Sequence, residues 1–136
     1  MPIKKGWFSV PPKKVKIKVE DNTKDRIQER VNQLIESYLK PEYVKLNPED
    51  EEFSYVVDIY SKWHRTYLYF IAKYRCTAPN CVKEFFEEKF ARLEYIGEDQ
   101  FNLAYFRHTG QWLEIRKQVT LNAALEAVKD DPNLVP

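Results

Sequence analysis

The chain has 136 residues, 43% hydrophobic and 32% charged, enough for one ordinary domain with a single core and too little for two of typical size. That balance excludes a wholly disordered or low-complexity chain, and 22 Lys plus Arg against 21 Asp plus Glu leaves a net charge of +1, so the whole-molecule field favours neither nucleic acid nor an anionic membrane. The distinguishing feature is an aromatic content of 15%, and the best apolar run, Tyr67 to Ala72, is far shorter than a membrane span.

The charge is uneven along the chain. Residues 1–18 hold Lys4, Lys5, Lys13, Lys14, Lys16 and Lys18 and no acid, so this stretch carries +6 and, against a total of +1, the remainder carries −5. The N-terminus lacks the apolar core of a secretory signal, which makes a cytoplasmic, reducing location the expectation, with Cys76 and Cys81 as thiols. Pro11-Pro12 favours extended backbone. Val15, Ile17 and Val19 then alternate with Lys14, Lys16 and Lys18, the period-two pattern of an edge strand with a solvated lysine face. Residues 1–20 therefore read as a basic arm with an edge strand, and 21–136 as a single α+β domain.

A helix is predicted from about Asn22 to Lys40, because Ile27, Val31, Leu34, Ile35, Tyr38 and Leu39 fall on one stripe. Asp21, Asn22 and Thr23 are candidate N-caps and Pro41 is the expected stop. Residues 42–52, with Asn47-Pro48 and an acidic run, read as a surface loop. The period then changes to two, giving five strands near Phe53–Ser61, Thr66–Arg75, Glu87–Tyr95, Gln100–Arg107 and Gln111–Lys117. Their connections are short, with Gly97 and Gly110 where a hairpin turn needs positive φ, so the strands form an antiparallel meander. Between the second and third, Pro79-Asn80 marks a turn and Val82 to Glu88 reads as a short helical piece. Thr120 caps a closing helix on Leu121, Ala124, Leu125 and Val128, stopped by Asp131-Pro132. The expected fold is α+β: an antiparallel meander sheet of five to six strands with an N-terminal and a C-terminal helix packed on one face.

From Thr66 to Ala127 the residues run Tyr69-Phe70-Ile71-Ala72-Lys73-Tyr74-Arg75, Ala91-Arg92-Leu93-Glu94-Tyr95 and Phe101-Asn102-Leu103-Ala104-Tyr105-Phe106-Arg107, then Trp112 and a Leu- and Ala-rich helix. This pattern resembles a family of small bacterial domains of unknown function, with one helix, a strand meander and a closing helix, over most of residues 22–132. It departs from that pattern at Cys76, where a Trp is expected after the second strand, and at Thr109, which replaces a second polar or acidic residue near the last hairpin. The resemblance implies a fold and no activity, and directs attention to Lys73, Arg75, Arg92, Arg107 and Trp112.

Strand parity sets Lys73 and Arg75 in one row with Tyr67, Tyr69 and Ile71, Arg107 in another with Phe101, Leu103 and Tyr105, and Arg92 with Phe90. Each row runs aromatic or apolar and ends basic. Brought together, the strand ends form a cationic patch beside Tyr69, Tyr105 and Trp112, suited to an anionic or base-stacking ligand, to which Lys13, Lys14, Lys16 and Lys18 of the arm add charge. The plainer alternative is that each cation finishes a strand end or pairs with Glu87, Glu94 or Glu114.

The chain has no Gly-x-Ser-x-Gly elbow, Walker loop, dinucleotide fingerprint or His-Glu-x-x-His, and three glycines leave little room for a phosphate-cradling loop. Cys76 and Cys81 with His64 and His108 lack the spacing of a zinc site, so neither metal nor cofactor is expected. Three functional expectations remain. The first is a non-enzymatic protein-interaction domain, self-associating through an aromatic sheet face. The second is a nucleic-acid-binding module using the arm and the Lys/Arg patch, although the ribonucleoprotein motif is absent. The third is a metal-independent endoribonuclease in which Arg107, Arg92 and Lys73 neutralise phosphate while His108 or His64 transfers protons.

Overall fold

The structure, a computed structural model, describes residues 18–45 and 54–136. Helix α1 (Asp21–Leu34) and the turn that continues it present the expected stripe: Ile27, Val31, Ile35 and Leu39 are buried, with Leu34 and Tyr38 packed beside them. Its cap is Glu20, whose carbonyl takes the Lys24 N–H at 2.9 Å and whose side chain makes no cap bond, so the cap lies one residue ahead of the expected candidates. Pro41 does not end the helix. Ile35–Leu39 form a π-helical turn, in which the Lys40 N–H bonds to the Ile35 carbonyl, and α2 (Lys40–Tyr43) continues with Pro41 in its first turn. A proline ring clashes with the carbonyl four residues back and donates no hydrogen bond, and a widened turn ahead of it relieves the conflict.

Five antiparallel strands follow in meander order: β1 (Ser54–His64), β2 (Tyr67–Cys76), β3 (Phe85–Gly97), β4 (Gln100–Phe106) and β5 (Trp112–Val119). The sixth strand expected over Lys13 to Glu20 falls mostly outside the described residues; Lys18, Val19 and Glu20 are not in a strand, although Val19 is buried. The helical piece expected over Val82 to Glu88 is instead a bend followed by strand, because Phe85 and Phe86 pair with Arg75 and Tyr74. Phe86 stacks on Tyr74 with ring centroids 5.0 Å apart, a cross-strand aromatic contact that carries the ladder further than local sequence indicates. Gly97 and Gly110 adopt φ of 109° and 85°, as the hairpins require.

The two helices lie on one side of the sheet. Ile59 of β1, Leu68, Phe70 and Ala72 of β2, Ala91 and Leu93 of β3 and Phe101 and Leu103 of β4 are buried in the core they share. Helix α1 is fixed over β1 by polar bonds at its rim: Gln28 donates to Ser61, Ser61 to Asn32 (2.7 Å), and the Trp63 indole N–H to the Lys24 carbonyl (3.3 Å). Helix α3 (Leu121–Asp130) buries Leu121, Ala124, Leu125, Ala127 and Val128, and Arg30 donates to Asn122 between the helices. Thr120 caps α3 as expected, its hydroxyl accepting from the Ala123 N–H at 3.1 Å. Thr120→Ala therefore lowers stability by about 1 kcal/mol in urea unfolding while Thr120→Ser retains it. Equal losses in both variants would show that the hydroxyl contributes nothing.

Cys76 and Cys81, expected as thiols, form a disulfide with their Cα atoms 6.2 Å apart. A turn carries the Cys81 N–H to the Ala78 carbonyl (3.3 Å), and the Cys76 N–H bonds to the Glu84 carbonyl (2.7 Å), which folds the loop back to the strand end. The thiol expectation rested on compartment; the pairing follows from this local geometry.

Candidate interaction face

Among the described residues, the side of the sheet opposite the helices carries no second layer. Alternation along β2 puts Tyr67, Tyr69, Lys73 and Arg75 on this open face while Leu68, Phe70 and Ala72 enter the core. On β3 the alternation breaks. Phe70 pairs with Ala91 and Ile71 with Lys89, leaving Phe90 as the extra residue of a bulge. Phe90 turns into the core, 7% exposed, and packs on Phe70 at 6.0 Å. Lys89 and Arg92 consequently share the open face although three positions apart, and the expected common row of Arg92 with Phe90 is corrected. On β4 the row Phe101, Leu103 and Tyr105 is the core row, so Tyr105 packs on the helix side, away from Tyr69 and Trp112. Trp112, at the start of β5, pairs with Phe106 across the last hairpin.

These placements build a compact cluster. The Arg92 guanidinium lies between two rings, 4.6 Å from the Tyr67 centroid and 4.7 Å from that of Trp112. The Lys89 ammonium sits 4.4 Å over Tyr69. Tyr69 and Trp112 are 5.8 Å apart, Tyr67 and Tyr69 6.0 Å, and Phe106 meets Trp112 edge-on at 5.2 Å. Each cation–π contact is worth about 0.5–1 kcal/mol where solvent reaches it, so the cluster is held together by its own contacts.

Carboxylates stand at its margin. Glu87 accepts from the Tyr60 hydroxyl at 2.9 Å and Glu94 from the Asn102 amide at 3.2 Å. Burial, reinforced by the Glu94 charge and opposed by Arg92, pushes the Tyr67 phenol up, and burial with the Glu87 bond does the same for Tyr60. Both phenols are therefore neutral donors at neutral pH. Two open grooves flank Lys89. One, of about 380 Å³, runs between Tyr60, His64 and Tyr69; the other, of about 790 Å³, runs between Glu87, Phe106, Arg107 and Trp112.

Of the residues singled out from sequence, Tyr69, Arg92 and Trp112 converge. Lys73 lies at a corner of the face, 4.8 Å over the Phe85 ring. Arg75 is engaged at the strand end, 3.1 Å from Glu84 and 3.5 Å from the Tyr55 hydroxyl. Arg107 is exposed in the β4–β5 turn, its N–H bonded to the Gln111 carbonyl (2.8 Å), and lines the second groove. Lys18 is exposed, and Lys13, Lys14 and Lys16 lie outside the described residues. Lys89, Phe106 and Tyr60 belong to the face although sequence reasoning did not select them; pairing of Phe106 with Trp112 across the Gly110 turn was the available signal. His64, expected on a turn, is the last residue of β1, while His108 lies in the β4–β5 turn at the other end of the meander, so the two are not brought together.

Residues 19–135 match the family model described as Domain of unknown function (DUF3024). No curated protein and no solved structure matches the chain.

Proposed function

The chain belongs to the DUF3024 family, whose description assigns no activity, and from the geometry of the open face we propose that it is a non-enzymatic interaction domain that self-associates through that face. The observation that carries this reading is Arg92 held between Tyr67 and Trp112 on the side of the sheet that no helix among the described residues covers. Trp, Tyr and Arg supply most interface hot spots, and side chains already stacked lose little freedom on binding. A second layer on this face would complete the sandwich that the helices close on the other side.

Charge order favours a second copy. Along β3 the open-face charges run Glu87, Lys89, Arg92, Glu94. A two-fold contact centred between Lys89 and Arg92 sets like charges together throughout; one shifted by two residues places each Glu87 opposite Arg92 of the partner subunit, twice, against a single approach of Lys89 to the partner's Lys89 on the axis. Light scattering on the full chain should move from 16.3 kDa toward twice that mass as concentration rises. A monomer up to about 1 mM would overturn the reading, since that affinity is weaker than a specific contact supplies. Arg92→Lys keeps the charge and loses the planar stack, and should weaken association about fivefold, or about 1 kcal/mol.

A second reading, single-stranded nucleic acid, is supported by Lys89 and Arg92 stacked on rings and by six lysines ahead of residue 19 in the sequence. Glu87 and Glu94 beside those cations count against a continuous phosphate track. A labelled single-stranded oligouridylate discriminates: binding at about 50 mM salt that collapses by about 200 mM would favour this reading over the first.

A further inference from the structure

We propose that Cys76 and Cys81 form a reversible thiol–disulfide exchange site that takes a dithiol reductant, and that the bond does not serve as a staple of the fold. The bond encloses only Thr77, Ala78, Pro79 and Asn80, a loop so short that closing it removes less freedom from the unfolded chain than a bridge between distant elements would. The ends of that loop are closed without it. The Cys76 N–H bonds to the Glu84 carbonyl at 2.7 Å, Arg75 pairs with Glu84 at 3.1 Å and reaches the Tyr55 hydroxyl at 3.5 Å, and Phe86 stacks on Tyr74 at 5.0 Å. Opening the sulfur bridge therefore leaves the β2–β3 ladder and the core intact.

Neither cysteine is buried, and neither belongs to the core cluster. Partly exposed disulfides are the ones open to attack by an external thiolate, whereas staples are usually sealed inside. The loop also lies at the corner of the open face where Lys73 covers Phe85, but the exchange chemistry does not depend on what that face binds.

The step balances. One thiolate of the dithiol attacks a sulfur of the pair, the S–S bond breaks, and a mixed disulfide forms while the other cysteine leaves as thiolate and takes up a proton. The second thiol of the reductant then displaces the attached protein sulfur. The cysteines gain two electrons and the dithiol becomes a disulfide; a low-molecular-weight disulfide such as oxidised glutathione runs the sequence in reverse.

The test equilibrates the full chain in glutathione and dithiothreitol buffers stepped from oxidising to reducing, traps thiols by alkylation and weighs the products. The expected result is one two-electron transition within that range, with the melting temperature moving by no more than about 10 °C between the end states, both of which unfold cooperatively. Amide exchange should rise over residues 77–84 alone, and Cys76→Ser with Cys81→Ser should fold and melt like the reduced chain. A bond that resists reduction until the protein unfolds, or a dithiol that stays open in oxidised glutathione, would overturn the proposal.

Discussion

Replacing Phe70 with Ala lowers stability by about 3–5 kcal/mol, read as a fall in the urea midpoint without a change in slope. Phe70 is 0% exposed at the middle of β2, opposite Ala91 and in contact with the bulged Phe90. Removing its ring empties a site that Ala91, already the smallest neighbour available, cannot fill. Against a typical total of about 5–15 kcal/mol the loss is large. The adjacent Tyr69 makes the comparison sharp. Its ring lies on the open face under Lys89, so Tyr69→Ala removes a cation–π contact and some covered area but creates no cavity, at a cost of about 1 kcal/mol. Comparable losses at both positions would contradict the assignment of the two faces.

Trp112→Ala raises the dissociation constant for self-association by about 30-fold or more, the equivalent of about 2 kcal/mol. The indole contacts three groups at once: Arg92 at 4.7 Å, Tyr69 at 5.8 Å and Phe106 at 5.2 Å. Its loss frees the guanidinium to move and opens the middle of the face to water. Trp63 provides the control. It packs on the helix side with its N–H on the Lys24 carbonyl, so Trp63→Phe costs stability without touching association. Sedimentation of both variants over the same concentrations separates the two effects, and weakening by Trp63→Phe alone would move the contact surface to the helices.

Much of the architecture is legible before folding because it rests on local period: the stripe from Ile27 to Leu39, the alternation of β2 and the cap at Thr120 are each decided within a few residues. What is not legible depends on a neighbour distant in sequence. Pro41 reads as a stop until the π turn before it makes room, and nothing in Ile35–Leu39 announces that turn. Phe90 reads as an ordinary strand residue; it becomes a bulge because β2 and β3 change register between Phe70 and Ile71. That one extra residue brings Lys89 to the open face with Arg92. Tyr105 and Tyr69 are alike as residues and differ only in which row the helices cover, a property of the assembled layers. Arg92, Tyr69 and Trp112 were found as aromatic and basic strand residues; Lys89 was hidden by the bulge.

The most direct measurement is fluorine NMR of the full chain with 5-fluorotryptophan incorporated, followed from about 10 μM to about 1 mM, the range in which a weak specific dimer forms. Trp112 stands on the open face and Trp63 on the helix side, so one molecule carries both the probe and its reference, and Trp7→Phe removes the third tryptophan resonance from the spectrum. The Trp112 resonance is expected to shift and broaden with concentration while that of Trp63 stays in place. A Trp112 resonance unchanged across the range, or a shift at Trp63 instead, would contradict it.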